Sequence, residues 1–509
     1  MQLSKATIKN IQTQTGLIIP EEKLFSLPEK VLQFGTGVLL RGLPDYFIDK
    51  ANRQGIFNGR VVVVKSTSSG GTDEFAQQDG LFTQCIRGIE NGQQVEEAVI
   101  NSSISKVLSA KEDWNKILEY AHCPEMQVII SNTTEVGIVM SGDKVTDRPP
   151  SSFPGKLLAF LWERYNAFNG AVESGMVIVP TELISGNGTL LRSIVLELAT
   201  KNKLEQQFIN WLETANYFCN SLVDRIVPGK LVGDDKIATG KKLGYTDDLM
   251  IMSECFRLWA IESGSQRVKE ILSFTRADKG AVIAADITKF RELKLRLLNG
   301  THTFSCGLAF LAGFETVKEA MQDKRMSSYI HGLMTQEIAS VMSGDMIGYE
   351  EAYIFAGNVM DRFSNPFLDH KWISITMNYT SKMKMRNVPL LLKHYEKHTA
   401  APELMALGFA GYLLFMKAEA GKDNVYSGNT NGNKYPVQDP QAGQLATYWQ
   451  QSDTNKLVKA VLADQSLWET DLSLLPGLAA AVEEALNKLM NRGVVATLQQ
   501  AQQQNEMTR

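Results

Sequence analysis

Three observations make the fold class an open parallel α/β sheet domain followed by a mainly α-helical one. Short apolar runs, 30-KVLQFG-35, 60-RVVVVK-65, 126-MQVIIS-131 and 175-GMVIVP-180, are mostly unalternated and bounded by Gly, Pro or polar residues. Strands buried on both faces of a parallel sheet read this way. Helical periodicity fills the gaps, as in 43-LPDYFIDKANRQ-54 and 155-GKLLAFLWERYNAF-168, and strand–helix–strand in repetition builds an open sheet. From about residue 280 strand-like runs become rare, while 308-LAFLAGFETVKEAMQDK-324, 328-SYIHGLMTQEIASVM-342 and 403-ELMALGFAGYLLFMKAEAG-421 read as helices. The expected domains are 1–278 and 279–509. The polar stretch 422-KDNVYSGNTNGNKYPVQDP-440 reads as a surface loop, and 498-LQQAQQQNEMTR-509 as a fraying tail.

Composition narrows the function. A chain of 509 residues with 44% hydrophobic and 21% charged residues suits a globular protein of two domains. A net charge of -4 gives no pull toward nucleic acid. The five cysteines, Cys85, Cys123, Cys219, Cys255 and Cys306, form no C-x-x-C pair, so neither a disulfide framework nor a zinc knuckle is indicated. No run approaches the ~18 apolar residues of a membrane span, and no signal peptide is evident. The expected location is the cytoplasm.

The first strand runs into 34-FGTGVLLRG-42. Glycines between a buried strand and a helix let a phosphate approach the backbone, where free N–H groups and the helix dipole favour an anion. Gly35 suits the tight turn and Gly37 the close approach. Leu40 stands where G-x-G-x-x-G has its third glycine, which falls instead at Gly42. The second strand ends in Lys65 and Ser66, with no acid until Asp73. That residue choice leaves NAD and NADP open, with a lean to NADP, because a cation suits a 2′-phosphate.

Two later strands end in the polar clusters 131-SNTTEVG-137 and 181-TELISGNG-188, at the end of the sheet where open α/β folds bind ligands. Taken singly, each is an ordinary loop with capping residues. A further segment, 216-NYFCNSLVDRIVPG-229, carries Asp224 and Arg225, either a structural ion pair or part of a site.

In 294-KLRLLNGTH-302, Lys294, Asn299 and His302 suit the reduction of a ketone. A lysine can shuttle the proton, an asparagine amide can bond the developing alkoxide, and a histidine can hold a hydroxyl. Their spacing alone does not assemble them. On an α-helix residues five apart are separated by about 140°, so convergence is expected only if the helix breaks near 299-NG-300.

The Gly-x-Gly turn with RG behind it, SNTTE-G, VDRI-P and K-x4-N-x2-H occur in an order that resembles the polyol-specific long-chain dehydrogenases, the mannitol dehydrogenase family. The likeness runs over nearly the whole chain. It implies a Rossmann-type first domain, a helical second domain, a site in the cleft between them, NAD as cofactor and no metal. Lys294 would be the general acid/base, Asn299 would polarise the carbonyl and His302 would help bind substrate. Phe34, Gly35, Thr36, Gly37, Arg41, Ser131, Asn132, Thr133 and Glu135 are the implied cofactor residues. The segments 182-ELISGNG-188, 362-RFSNPFL-368 and 435-YPVQD-439 point to members acting on sugar acids, whose carboxylate calls for a cation. Asn187, Asp224, Arg362, Asn365 and His370 are the candidate substrate residues, with Lys382 and Arg386 as further cations. A non-catalytic sensor that binds the dinucleotide is the rival from another class.

Overall fold

The computed structural model describes residues 1–66, 72–133, 137–422, 425–451 and 453–507. The chain separates into two compact units, Met1–Gly88 with Gln94–Thr288, and Ile89–Gln93 with Lys289–Arg509. Residues 279–288 lie in the first unit rather than the second. Their strand Ala281–Ala284 pairs in parallel with Leu258–Glu262, so the boundary falls after Thr288.

The first unit is built on six parallel strands: β1 (Glu29–Phe34), β2 (Arg60–Lys65), β3 (Ile104–Ser109), β4 (Val128–Ser131), β5 (Val177–Pro180) and β6 (Tyr217–Phe218). Their spatial order is β3-β2-β1-β4-β5-β6. Alternate residues feed opposite cores. Val31, Val63, Ile130 and Val179 pack on one face, and Leu32, Val62, Ile129 and Ile178 on the other. Apolar runs without alternation are therefore required, and each buried aliphatic side chain contributes roughly 1.5–3 kcal/mol. Helices α1 (Val38–Gly42) and α2 (Pro44–Arg53) cover the first face, and α3 (Phe153–Ala167), α4 (Asn187–Lys201) and α5 (Gln206–Thr214) the second. Strand order reverses between β1 and β4, which opens a crevice at their carboxyl ends.

The second unit is mainly helical. Helices α6 (Thr288–Leu293) and α7 (Thr301–Leu311) flank a π-helical turn, Lys294–Gly300. Helix α8 spans Tyr349–Phe363, and α9 spans Glu403–Phe415. Apolar on all sides, α9 is buried nearly throughout, as such a helix must be. It meets α7 at small residues: a Cβ on Gly307 would lie 2.8 Å from the Gly411 carbonyl oxygen. That close approach fixes the helix that carries His302.

Three expectations are corrected here. The helix expected over 308–324 stops at Leu311 and restarts at Val317, where Thr316 and Glu319 form a reciprocal cap. The expected surface loop holds a three-stranded antiparallel sheet, Ala418–Ala420, Tyr426–Thr430 and Asn433–Pro436. Asn431 and Gly432, at φ 50° and 81°, make the tight turn between the last two strands, a strong hairpin signal in the sequence. The polar tail continues as a helix, Val494–Met507, with Val494 and Leu498 buried. Among the described residues no helix is long and apolar enough to cross a membrane.

Candidate functional site

At the carboxyl end of β1 the chain turns on Gly35, at φ 130°. Its N–H donates to the Val64 carbonyl at 3.0 Å, and a Cβ there would sit 2.9 Å from the Asn132 backbone oxygen. Only glycine therefore lets the β1 and β4 loops close on each other. At Gly37, the residue capping α1, an added Cβ would meet nothing within 4 Å. The turn thus keeps open backbone where a pyrophosphate would approach. The neighbouring loop is set by Glu182, which accepts from Ser131 Oγ (3.1 Å), Thr133 N (2.9 Å) and Thr133 Oγ1 (2.9 Å). Asn132 donates its amide to the Thr181 carbonyl and Oγ1, at 3.2 and 3.0 Å. These residues fit a dinucleotide. Glu135 lies outside the described residues.

In the second unit the helix does not break at Asn299–Gly300. Leu293, Gly300 and Thr301 are all right-handed helical, so the chain runs unbroken from Thr288 to Leu311 through the π turn. A π turn bonds residue i to i+5, and so brings residues five apart, such as Lys294 and Asn299, nearer to one face than the roughly 140° of an α-helix. His302 follows three residues after Asn299, one helical turn on.

His302 is buried. Its ring stacks on Phe363 (4.0 Å between centroids, 9° between planes) and meets His370 and Trp372 edge-on at 5.2 and 5.9 Å. Nε2 makes no hydrogen bond. Burial above all, then the charges of His370, Arg362, Arg386 and Lys382, hold the imidazole well below its ordinary pKa. The ring is therefore neutral near pH 7. A second π turn, Met383–Asn387, carries Arg386 and follows Lys382 directly. Arg386 Nη1 donates to Thr303 Oγ1 at 3.1 Å, and Lys382 Nζ to the Ile375 carbonyl at 2.8 Å. Among the described residues neither cation forms an ion pair with a carboxylate. Asp439 acts on Lys382 only at longer range, its oxygens taken by the Thr380 and Gln441 amides.

Both halves of the chain match family models: the mannitol dehydrogenase Rossmann domain over residues 29–272 and the mannitol dehydrogenase C-terminal domain over residues 286–490. The chain belongs to the mannitol dehydrogenase family. Relatives include altronate oxidoreductase of Bacillus subtilis, 38% identical over 93% of this chain and 95% of that protein. The Klebsiella pneumoniae altronate oxidoreductase is likewise 38% identical, over 92% and 95%. Two solved structures share the fold. A Pseudomonas fluorescens mannitol 2-dehydrogenase, in a ternary complex with NAD and D-mannitol, matches with a TM-score of 0.65 at 22% identity, over 98% of this chain and 99% of that one. A D-sorbitol dehydrogenase matches with a TM-score of 0.77 at 19% identity, over 98% and 100%.

A member of the mannitol dehydrogenase family is an oxidoreductase acting on a secondary alcohol, and its Rossmann unit serves a nicotinamide cofactor. Within that frame several expected ligands have structural work instead. Arg41 is buried, donates to the Leu249 carbonyl at 2.6 Å and lies over the Phe75 and Phe82 rings, so its guanidinium points into the unit and not at the glycine turn. Asn187 is wholly buried. Its amide donates to the Pro180, Glu182 and Ser221 carbonyls, and its oxygen accepts from the Gly188 and Ser221 amides. This leaves it no donor for a substrate. Asp224 is buried at the end of a strand paired with Leu258–Glu262. Arg225 donates to the Gly42 and Glu254 carbonyls and lies 4.7 Å over the Tyr46 ring. A Cβ on Gly42 would also press on Val227, at 2.7 Å. The RG and VDRI-P motifs therefore pack on each other, which accounts for their pairing in the sequence. Asn365 Oδ1 accepts from the Phe367 N–H at 3.0 Å, closing the turn after α8.

Sequence reasoning left Glu182 without a role and did not see that Arg362, His370, Lys382 and Arg386 converge on His302. Glu182 lies directly after the Thr181 that pairs with Ser131, and a carboxylate there was the signal available. Nothing in the spacing of these four residues announces their convergence.

Proposed function

We propose that the protein reversibly reduces the ketone of D-tagaturonate to D-altronate, with NAD(H) as cofactor. The observation that carries the reading is the cationic cluster around His302, in which Lys382 and Arg386 have no carboxylate partner among the described residues. A neutral polyol gives such a cluster nothing to neutralise, whereas a sugar acid brings an anion. The altronate oxidoreductases among the relatives support the same choice, and the NAD-bound neighbour supports the cofactor.

The bound nicotinamide supplies the hydride in reduction and takes it in oxidation. The chain's own groups handle the proton and the charge. Lys294 gives a proton to the carbonyl oxygen as the ketone is reduced, and as the neutral amine takes it back when the alcohol is oxidised. Asn299, in the same π turn as Lys294, donates its amide to the same oxygen as negative charge builds there. Neutral His302 uses its unpartnered nitrogen for a substrate hydroxyl. Arg362, Lys382 and Arg386 form the positive surroundings of the carboxylate, with His370, whose pKa burial and Lys382 lower, beside them.

The test is the rate of NADH and NADPH oxidation with tagaturonate, fructuronate and fructose. Turnover of tagaturonate with NADH, well above the other combinations, is expected. Preference for fructuronate would keep the mechanism and change the substrate. Preference for fructose would overturn the sugar-acid reading. NADH binding without turnover of any of the three would favour the sensor.

A further inference from the structure

We propose that Arg386 is the residue that binds the substrate carboxylate and sets the choice of sugar acids over polyols, and that the two π turns hold it in place. The proposal rests on the sugar-acid reading above and names the residue that reading leaves open.

Arg386 is distinguished from its neighbours by what its guanidinium does and does not touch. Nη1 is taken by Thr303 Oγ1, and Thr303 Oγ1 in turn donates to the Asn299 carbonyl at 2.8 Å. The cation is thus fastened to the backbone of the residue that polarises the ketone. Its Nε is buried and makes no hydrogen bond. A guanidinium binds a carboxylate best side-on, through two parallel N–H groups, and the Nε edge offers such a pair. Lys382, by contrast, already gives its ammonium to the Ile375 carbonyl and is a single point charge. Arg362 lies on α8, next to Phe363, whose ring stacks on His302.

The backbone around Arg386 is braced from the catalytic helix. Arg296, inside the Lys294 π turn, donates through Nη1 to the Met385 and Arg386 carbonyls, both at 2.8 Å. Its Nε is oriented by Glu292 at 2.9 Å. At Gly300 a Cβ would come within 3.3 Å of Asn387 Oδ1, so the absence of a side chain lets the two π turns lie together. One turn therefore sets the proton donor and the other the anion receptor. A sugar acid would then span the two turns, its ketone at one and its carboxylate at the other.

The experiment compares D-altronate with D-altritol, in which a hydroxymethyl group replaces the carboxylate. Affinity for each is measured by calorimetry on NADH-loaded wild type, Arg386→Met and Arg386→Lys, alongside kcat/KM for altronate oxidation. The preference for altronate over altritol should fall on the order of a hundredfold in Arg386→Met and be partly restored in Arg386→Lys. Equal losses for the two ligands would make Arg386 a merely structural group and overturn the assignment. A wild type with no preference for altronate would overturn the sugar-acid reading itself, which separates the two failures. Should Arg386→Met not fold, Thr303→Val removes the oxygen that holds Nη1, and it should lower the same preference to a smaller degree; an unchanged preference there would count against the proposal.

Discussion

Two glycines a residue apart serve different ends. Gly35 is required by the fold, through its φ of 130° and the Asn132 oxygen 2.9 Å from where a Cβ would be, whereas Gly37 has φ -62° and open space. Gly35→Ala should cost about 1–3 kcal/mol in thermal or urea unfolding. Gly37→Ala should stay within about 0.5 kcal/mol of the wild type and yet weaken NADH binding about tenfold or more, because the methyl occupies the approach to the pyrophosphate. Fluorescence titration with NADH reads the second effect. Undiminished affinity in Gly37→Ala would mean that the dinucleotide does not cross that turn. His302 is the other residue whose character is set by its neighbours. Burial first, then the nearby cations, keep it neutral, so in the proposed site it would act as a hydrogen-bonding group rather than as a charge.

At the scale of the element, the π turn does for a five-residue spacing what an α turn does for four. Its place in the helix is fixed by tertiary contacts: Arg296 reaching the Met385 and Arg386 carbonyls, and Gly300 admitting Asn387. Arg296→Met should therefore lower stability by about 2 kcal/mol and raise KM for the sugar acid more than it lowers kcat, since the Arg386 turn loses its brace. Steady-state kinetics on the purified variant give the split. A loss of stability with KM unchanged would mean that the Arg386 turn holds its shape without Arg296. The same contacts explain why the catalytic face could not be read from spacing. The local sequence of 294-KLRLLNGTH-302 fits an α-helix, and the turn is held by backbone carbonyls some ninety residues away.

Across the molecule, legibility followed burial. β1, β2, β4 and β5 were plain in the sequence because both faces are covered and their central positions are almost all apolar. β3 escaped because ISKVLS is half-exposed, and β6 because two residues, Tyr217 and Phe218, carry no pattern. The antiparallel sheet in the second unit escaped because its strands are polar, although Asn431–Gly432 marked its turn. Motif order identified the family and singled out Lys294, Asn299 and His302 as its candidate site residues. Of the candidates it named, Arg41 and Asn187 donate to carbonyls of their own unit. A motif preserves the residues that hold a loop in shape alongside those that touch a ligand, and only their hydrogen bonds tell the two apart.

The central claim is that Lys294 on the π turn moves the proton of the reacting alcohol. The measurement that tests it most directly is kcat/KM for tagaturonate with NADH in Lys294→Ala, with and without an added small primary amine. The rate should fall by about 10²–10⁴-fold, with NADH affinity retained, and recover in part as the amine is added. Turnover close to wild type, or a loss explained by failure to bind NADH, would contradict it.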